Sequence, residues 1–360
     1  MIFLGDVASP TKEHSTNFKN ILTQYDHLFS NQTIVFNLEG MIADEVSLQT
    51  NSPILFNHSS VLDAFPSNSN LVAALANNHT LDLPDFYEAT IQQLKSKGIP
   101  YFGAGKNSTE AKKVVEIYED GKKFFLINAC WDFLLYHQEN PSRGVYINTI
   151  QEIEILNQVQ QIKKDNPEAA IAVYFHWSFD LETLPFPMYR EFAKDLIDQG
   201  VNLVVGAHSH CVQGGESYKD GHIVYGLGNF YLPSHTFANG TLRFPEMSKK
   251  QMVLQWDWKT NRATCHWFNY NFENQKHIVN FLNSEVLLDS KEMKKYAPYQ
   301  GMDDKTYVSF FRKNRRKKIA IPLFKSYKNG YLNKVNMFIL KNRALIARKM
   351  AEMKLIGWQN

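Results

Sequence analysis

Five apolar runs in this chain each end on residues able to bind a ligand or move a proton. "MIFLGD" ends at Asp6, "TIVFNLEG" reaches Glu39, and "SNLVAALANNHTLD" carries Asn77, Asn78 and His79. "AAIAVYFHW" reaches His176, and "VNLVVGAHSH" closes on His208 and His210. Each run has the length and apolar content of a buried strand. "KKFFLINACW" and "HIVYGLGNF" read as further strands, and helical patterns fall at 84–98, 149–165 and 187–200. Two of those helices close on a glycine, Gly98 and Gly200, as a C-cap prefers. Strands alternating with helices specify a layered α/β fold. In such folds the C-terminal strand ends line one crevice, so residues far apart in sequence meet there.

The donors in that crevice are carboxylate, amide and imidazole. This mixed nitrogen and oxygen set suits Mn, Fe or Zn better than Ca or Mg. Taken singly, each residue also serves as a cap, a turn residue or a hydrogen-bonded core histidine. Five strand ends with the same character point instead to a divalent metal site, where an ion activates water and polarises a phosphoryl or acyl oxygen.

The order of "GDV", "NLEG", "ANNHTLD", "GIPYFGAG", "FHWSFD", "GAHSH" and "IVYGLGNF" resembles that of the CapA-type capsule-synthesis proteins. These are the poly-gamma-glutamate capsule biosynthesis family of the calcineurin-like metallophosphoesterase superfamily. The resemblance covers about residues 1–235. It implies a metallophosphoesterase-like sandwich of two mixed sheets flanked by helices. It also implies one or two divalent ions held by Asp6, Glu39, Asn78, His176, His208 and His210, with His79 as general acid or oxyanion partner. Three departures stand out. Ala8 occupies the histidine position of the superfamily's Asp-x-His motif, which predicts one ion held tightly and a second weakly or not at all. Asp180 in "HWSFD" keeps a carboxylate on a shorter stem than the family's glutamate. "LDLP" replaces the usual Asp-Tyr-Gly after "ANNH".

Asp180, Asn229 and Trp177 are the candidate substrate contacts. Asn229 in "GLGNF" also suits a turn, and Trp177 beside His176 also suits core packing. Glu216 reads as a surface residue. "GIPYFGAG" lacks the GK[ST] ending of a phosphate loop.

Beyond residue 245 the texture changes. "QMVLQWDW" and "RATCHWFNYNF" alternate around "KTN" as an antiparallel hairpin, 286–300 reads as helical, and 329–355 as a basic helix. We divide the chain into a metallophosphoesterase-like domain, 1–275, and a basic, mostly helical C-terminal extension, 276–360. Residues 301–360 hold 15 Lys and Arg against 3 Asp and Glu, a net of +12, whereas the first 300 hold 24 against 33, a net of −9. Such asymmetry suggests an anionic partner for the tail. Arg312, Lys313, Arg315, Arg316, Lys317 and Lys318 are its densest part and would suit a membrane surface or a synthase complex. Nucleic acid is not the expected partner, because no aromatic-interleaved platform accompanies the run.

A hydrophobic content of 44% is that of a globular protein. No apolar run reaches the ~20 residues of a membrane span. The start lacks a basic segment and a long apolar core, so the expected location is cytoplasmic, peripheral at the inner membrane face where the tail engages it. Cys130, Cys211 and Cys265 are too widely spaced for a metal knuckle. The expected function is capsule or exopolymer biosynthesis through a metal-dependent hydrolase site acting on a phosphorylated or acyl-activated intermediate of an anionic polymer. The alternatives are a non-hydrolytic assembly factor of a membrane-associated synthase and a carbohydrate-binding or carbohydrate-modifying protein.

Overall fold

The structure is a computed structural model that describes residues 1–49, 53–119, 121–136, 144–317 and 321–352. Fourteen strands build its two principal sheets. They are β1 (Ile2–Val7), β2 (Thr33–Leu38), β3 (Asn70–Ala74), β4 (Tyr101–Phe102), β5 (Val115–Glu119), β6 (Lys122–Cys130) and β7 (Ala170–His176). β8 (Leu203–Ala207), β9 (Val212–Tyr218), β10 (Gly221–Leu227), β11 (Asn229–Tyr231), β12 (Lys250–Asp257), β13 (Arg262–Glu273) and β14 (Lys276–Val286) follow.

The first sheet runs in the order β14-β13-β12-β1-β2-β3-β4. β1 to β4 are mutually parallel, and β12 to β14 form an antiparallel meander. β11 pairs in parallel with the C-terminal half of β1, where Asp6 stands opposite Asn229. The second sheet runs β9-β10-β8-β7-β6-β5, parallel through its middle and antiparallel at both edges.

The sheets pack face to face through the inward residues of β1, β2 and β7. Phe3 stacks against Tyr174 at 6.3 Å, and the Tyr174 hydroxyl donates to the Leu4 carbonyl at 2.7 Å. Outside the first sheet lie α1 (Lys12–Gln24) and α2 (Tyr87–Ser96), which bury Phe18, Leu22, Ile91 and Leu94 against Ile2, Leu4, Ile34 and Phe36. Outside the second lie α3 (Glu152–Asp165) and α4 (Pro187–Asp198), with Val159, Phe192 and Leu196 buried. Thr11 caps α1 through its hydroxyl, and Pro187 begins α4, where its missing N–H costs nothing. The closing glycines of α2 and α4 are in the left-handed region, Gly98 at φ +67° and Gly200 at φ +95°. The α/β layering read from the sequence is therefore present, as two sheets enclosed by helices.

The C-terminal residues return onto the second sheet's helical side. Tyr307 and Phe311 of α5 (Asp304–Asn314), then Phe324 and Tyr327, then Leu340 of α6 (Gly330–Glu352), are all buried in the main core. Two expectations differ from what is seen. The sheet runs past residue 275, because β14 pairs with β13 along its length, and the helix expected over 286–300 is limited to Lys291–Tyr296. β14 is an edge strand in which only Val279 is buried, so it carries no strong apolar period. Among the described residues no helix is long and apolar enough to cross a membrane.

Candidate metal centre

The C-terminal ends of β1 and β2 meet those of β7 and β8 across the gap between the sheets. On β2 the pleat does this unaided: Val35, Asn37 and Glu39 follow a period of two toward the second sheet, while Ile34, Phe36 and Leu38 face the helices. β1 needs a correction to its alternation. Phe3 points inward and Leu4 outward, so strict alternation would turn Asp6 outward. An irregularity between Phe3 and Asp6 reverses the parity. Gly5 sits within it, and a Cβ there would lie 1.9 Å from the Gly228 carbonyl oxygen. β7 continues Tyr174 inward to His176. After β8 the chain turns through His208 (φ +84°) and His210 (φ +51°), a left-handed conformation that costs free energy for residues with a Cβ.

These elements bring six side chains together. Asp6, Glu39 and His176 form one group in which a ligand atom from each lies within 4.8 Å of the others, and Asp180, His208 and His210 form a second. The two are joined: His208 Nδ1 is 3.1 Å from His176 Nε2, and His210 Nδ1 is 3.2 Å from Asp6 Oδ2. Asn78 reaches His176 Nε2 through its carboxamide oxygen at 2.8 Å. His79 is held at its Nδ1 by Asp82 Oδ2 at 2.6 Å.

The electrostatics of the set are those of a site built for a cation. Asp6 Oδ2, both oxygens of Glu39 and Asp180 Oδ1 are buried and accept no hydrogen bond. Burying a carboxylate costs several kcal/mol unless positive charge compensates it, and these four oxygens have only imidazoles beside them, so the cluster favours a cation among them. Without one, burial and then the neighbouring Asp6 push Glu39 up to about 8. Burial holds His208 down at about 4, and burial with the His208 and His210 charges holds His176 well below its ordinary value. Burial also opposes charge on His210, yet the carboxylates of Asp6 and Glu39 outweigh it and raise His210 to about 10. For His79, burial is outweighed by Asp82, and its pKa rises. The donors fit a divalent ion: carboxylate oxygen, imidazole nitrogen and amide oxygen in one dry cleft.

Of the three residues expected at the substrate, Asp180 and Asn229 lie beside the histidine pair and Trp177 lies away from the cleft. Asp180 stands among the imidazoles, with Oδ1 3.0 Å from His208 Nε2 and 3.9 Å from His210 Nε2. Asn229 accepts from His210 Nδ1 at 2.8 Å and so orients that ring. Trp177 is a correction. It is buried, stacks on Phe175 at 4.6 Å and on Tyr189 at 4.8 Å, and donates from Nε1 to the Tyr225 carbonyl. Strand alternation explains this, since Trp177 shares parity with Phe175 and faces the helices, opposite His176. Ala8 lies in a small apolar cluster with Leu55, Phe56 and Phe237. Glu216 is also buried rather than exposed, and both its oxygens accept from Arg190, at 2.7 and 2.8 Å.

Other parts of the site escaped sequence reasoning. Asn37 donates to Asp6 Oδ1 at 2.8 Å and accepts from Asn77 at 3.0 Å, tying three strand ends together. Its position two residues before Glu39 was the available signal. Asp82 carried no such signal, because its role depends on the turn that returns it to His79. A cavity of about 590 Å³ lies instead at the N-terminal ends of β2 and β3, lined by Thr33, Phe65, Asn70 and Lys97, far from this chemistry.

Comparison with known proteins bears on the same region. A family model described as "Bacterial capsule synthesis protein PGA_cap" matches residues 1–234. The chain is 29% identical over 163 residues to the capsule biosynthesis protein CapA of Bacillus anthracis, which covers 44% of this chain and 39% of that one. It is 24% identical over 203 residues to the PGA biosynthesis protein CapA of Bacillus subtilis (strain 168), covering 47% and 48% respectively. The chain thus spans less than half the length of these two relatives. Among solved structures, the calcineurin-like phosphoesterase YfkN from Bacillus subtilis aligns at a TM-score of 0.39 with 14% identity, over 82% of this chain and 94% of that one.

Proposed function

Because the chain belongs to the PGA_cap family of bacterial capsule synthesis proteins, we propose that its strand-end cluster is a divalent metal centre acting on a phosphorylated or acyl-activated intermediate of an anionic capsule polymer. The observation that carries this reading is the set of four buried carboxylate oxygens without hydrogen-bond partners, on Asp6, Glu39 and Asp180.

Asp6, Glu39 and His176 would hold one ion, and Asp180, His208 and His210 a second, with Asn78 beside His176. A divalent ion there supplies Lewis-acid polarisation of a phosphoryl or acyl oxygen. Asn229 fixes the His210 ring, and Asn37 fixes the Asp6 carboxylate, so neither donor needs to reorganise. His79 is the proton donor of this reading. Asp82 anchors its Nδ1–H and favours the imidazolium, which leaves Nε2–H for the leaving group. The buried histidine-rich cleft excludes water from these contacts and strengthens them.

The test is metal content measured alongside turnover. The purified chain, loaded with Mn and dialysed, is expected to retain at least one ion, and Asp6→Asn or Glu39→Gln to lose it. Screened on phosphodiesters and on activated γ-glutamyl esters, the loaded protein should turn over one class. His79→Asn should lower that turnover by roughly 10²–10⁴-fold with metal content unchanged. A wild-type chain that binds no Mn, Fe or Zn would sink the metal reading, and metal loss in His79→Asn would sink the proton-donor role.

A further inference from the structure

Lys317 belongs to the C-terminal extension, outside residues 1–234, yet it lies at the edge of the candidate centre. After α5 the chain crosses the loop that carries Asp180. It is fastened there by Glu182, a buried side chain whose carboxylate accepts the Arg316 N–H at 3.1 Å and the Lys317 N–H at 3.0 Å. The same carboxylate accepts Thr183 N–H at 3.1 Å and Leu184 N–H at 3.3 Å, so one acid welds the loop to the strap. The Glu182 carbonyl in turn accepts from Gln213 at 2.8 Å, next to the turn bearing His208 and His210. The anchor therefore sets the strap's position relative to the histidines.

That anchor uses main-chain N–H groups and leaves the Lys317 side chain unspent. Its ammonium lies over the Phe179 ring at 6.0 Å, one residue from Asp180, and makes no ion pair among the described residues. It is half-buried, so the charge is only partly hydrated. Further cations stand on this side: Arg316 is exposed beside it, and α6 brings Lys341 over the Tyr136 ring at 5.0 Å and carries Arg343. Structural neutralisation would pair the Lys317 ammonium directly with Asp180 or Glu182. Glu182 is instead occupied by four N–H donors, and Asp180 Oδ1 faces His208.

We propose that Lys317, delivered by the C-terminal strap, is a substrate-binding residue that takes an anionic oxygen group of the molecule held at the strand-end centre. Such a group is a phosphate or a carboxylate, the two anions that an intermediate of an acidic polymer would present beside its reacting bond. This rests on the metal-centre reading for the identity of the neighbouring site. The Lys317 charge also helps to hold Asp180 in its ionised form, against the effect of burial and after the contributions of His208 and His210.

The experiment is calorimetric titration of the Mn-loaded full chain with inorganic phosphate in one arm and penta-γ-glutamate in the other. Mn stoichiometry is measured on each variant. Lys317→Gln should bind the anion roughly tenfold more weakly, as for loss of one charged hydrogen bond. Lys317→Glu should bind more weakly still, and Lys317→Arg should stay near wild type, all with unchanged Mn content. Weakening in both arms assigns Lys317 to anionic oxygen in general, and weakening in the glutamate arm alone assigns it to the polymer. Wild-type affinity in Lys317→Gln overturns the proposal, as does a wild-type chain that binds Mn but neither anion. A chain that takes up no Mn defeats the metal reading instead, and the anion titrations, run without the ion, still report on Lys317.

Discussion

Both oxygens of Glu39 are buried and accept no hydrogen bond, so its charge is costly in the metal-free site. Its folded-state value of about 8 lies above its ordinary 4.5. For an acid shifted this way, the stabilising protonated form is complete below pH 4.5 and is lost as pH rises through 8. His210, raised from 6.5 to about 10, has the same sign at still higher pH. Metal-free protein should therefore lose melting temperature between pH 6 and pH 8.5. Mn binding requires the ionised carboxylate and removes this cost, so the rise in melting temperature on adding Mn should be larger at pH 8.5 than at pH 6. Thermal melts with and without a chelator at the two pH values decide it. A metal-induced rise that is flat or shrinks with pH would show that Glu39 is not buried as a proton carrier.

At the scale of elements, the irregularity in β1 decides which way Asp6 points. A Cβ at Gly5 would meet the Gly228 carbonyl at 1.9 Å, so Gly5→Ala must push β1 away from the chain entering β11. Overpacking of this kind costs about 1–3 kcal/mol, and here the strained backbone is the one that holds Asp6 and Asn229. The variant should melt lower and bind Mn more weakly than wild type. Loss of stability with unchanged Mn affinity would separate the irregularity from the centre. Periodicity explains what was legible here. Asn37, Glu39 and His176 obey the pleat, and their direction could be read from alternation. Asp6 breaks it, and Trp177 obeys it in a way that removes it from the cleft.

The whole molecule joins its basic and acidic parts at a few points. Arg190 of α4 pairs with Glu216 and, at 3.0 Å, with Asp304 of α5, while Lys328 pairs with Asp195 at 2.7 Å. Phe311 packs on Phe186 at 5.3 Å, and Phe324 on Trp131 at 6.0 Å. Part of the basic run thus lies against the body, with Arg312, Lys313 and Arg316 exposed, and Lys318 falls outside the described residues. Removing residues 304–360 would delete four buried aromatic side chains and Leu340, each worth about 1.5–3 kcal/mol when fully buried, and uncover Phe186 and Trp131 beneath them. The shortened chain should lose several kcal/mol in denaturant melts. A midpoint equal to that of the full chain would mean that the extension is an independent appendage.

The chain's own pattern determined the layers and most of the cleft. Apolar runs of strand length, separated by helices and ending on Asp6, Glu39, Asn78, His176, His208 and His210, leave few ways to fold that do not gather those ends at one edge. Strand direction and side-chain parity are local properties, so a sequence carries them. What only the tertiary structure decided depends on contacts between distant segments. The register irregularity at Gly5 turns Asp6 inward, the turn after Asn78 returns Asp82 to His79, and the Asp180 loop swings its carboxylate onto His208. Glu182 then fastens residues 316 and 317 beside that loop. Lys317 stands 135 residues beyond Glu182, and neither composition nor spacing encodes their meeting. A buried carboxylate binds whichever donors the packed chain presents, and that choice is made only once the core has closed.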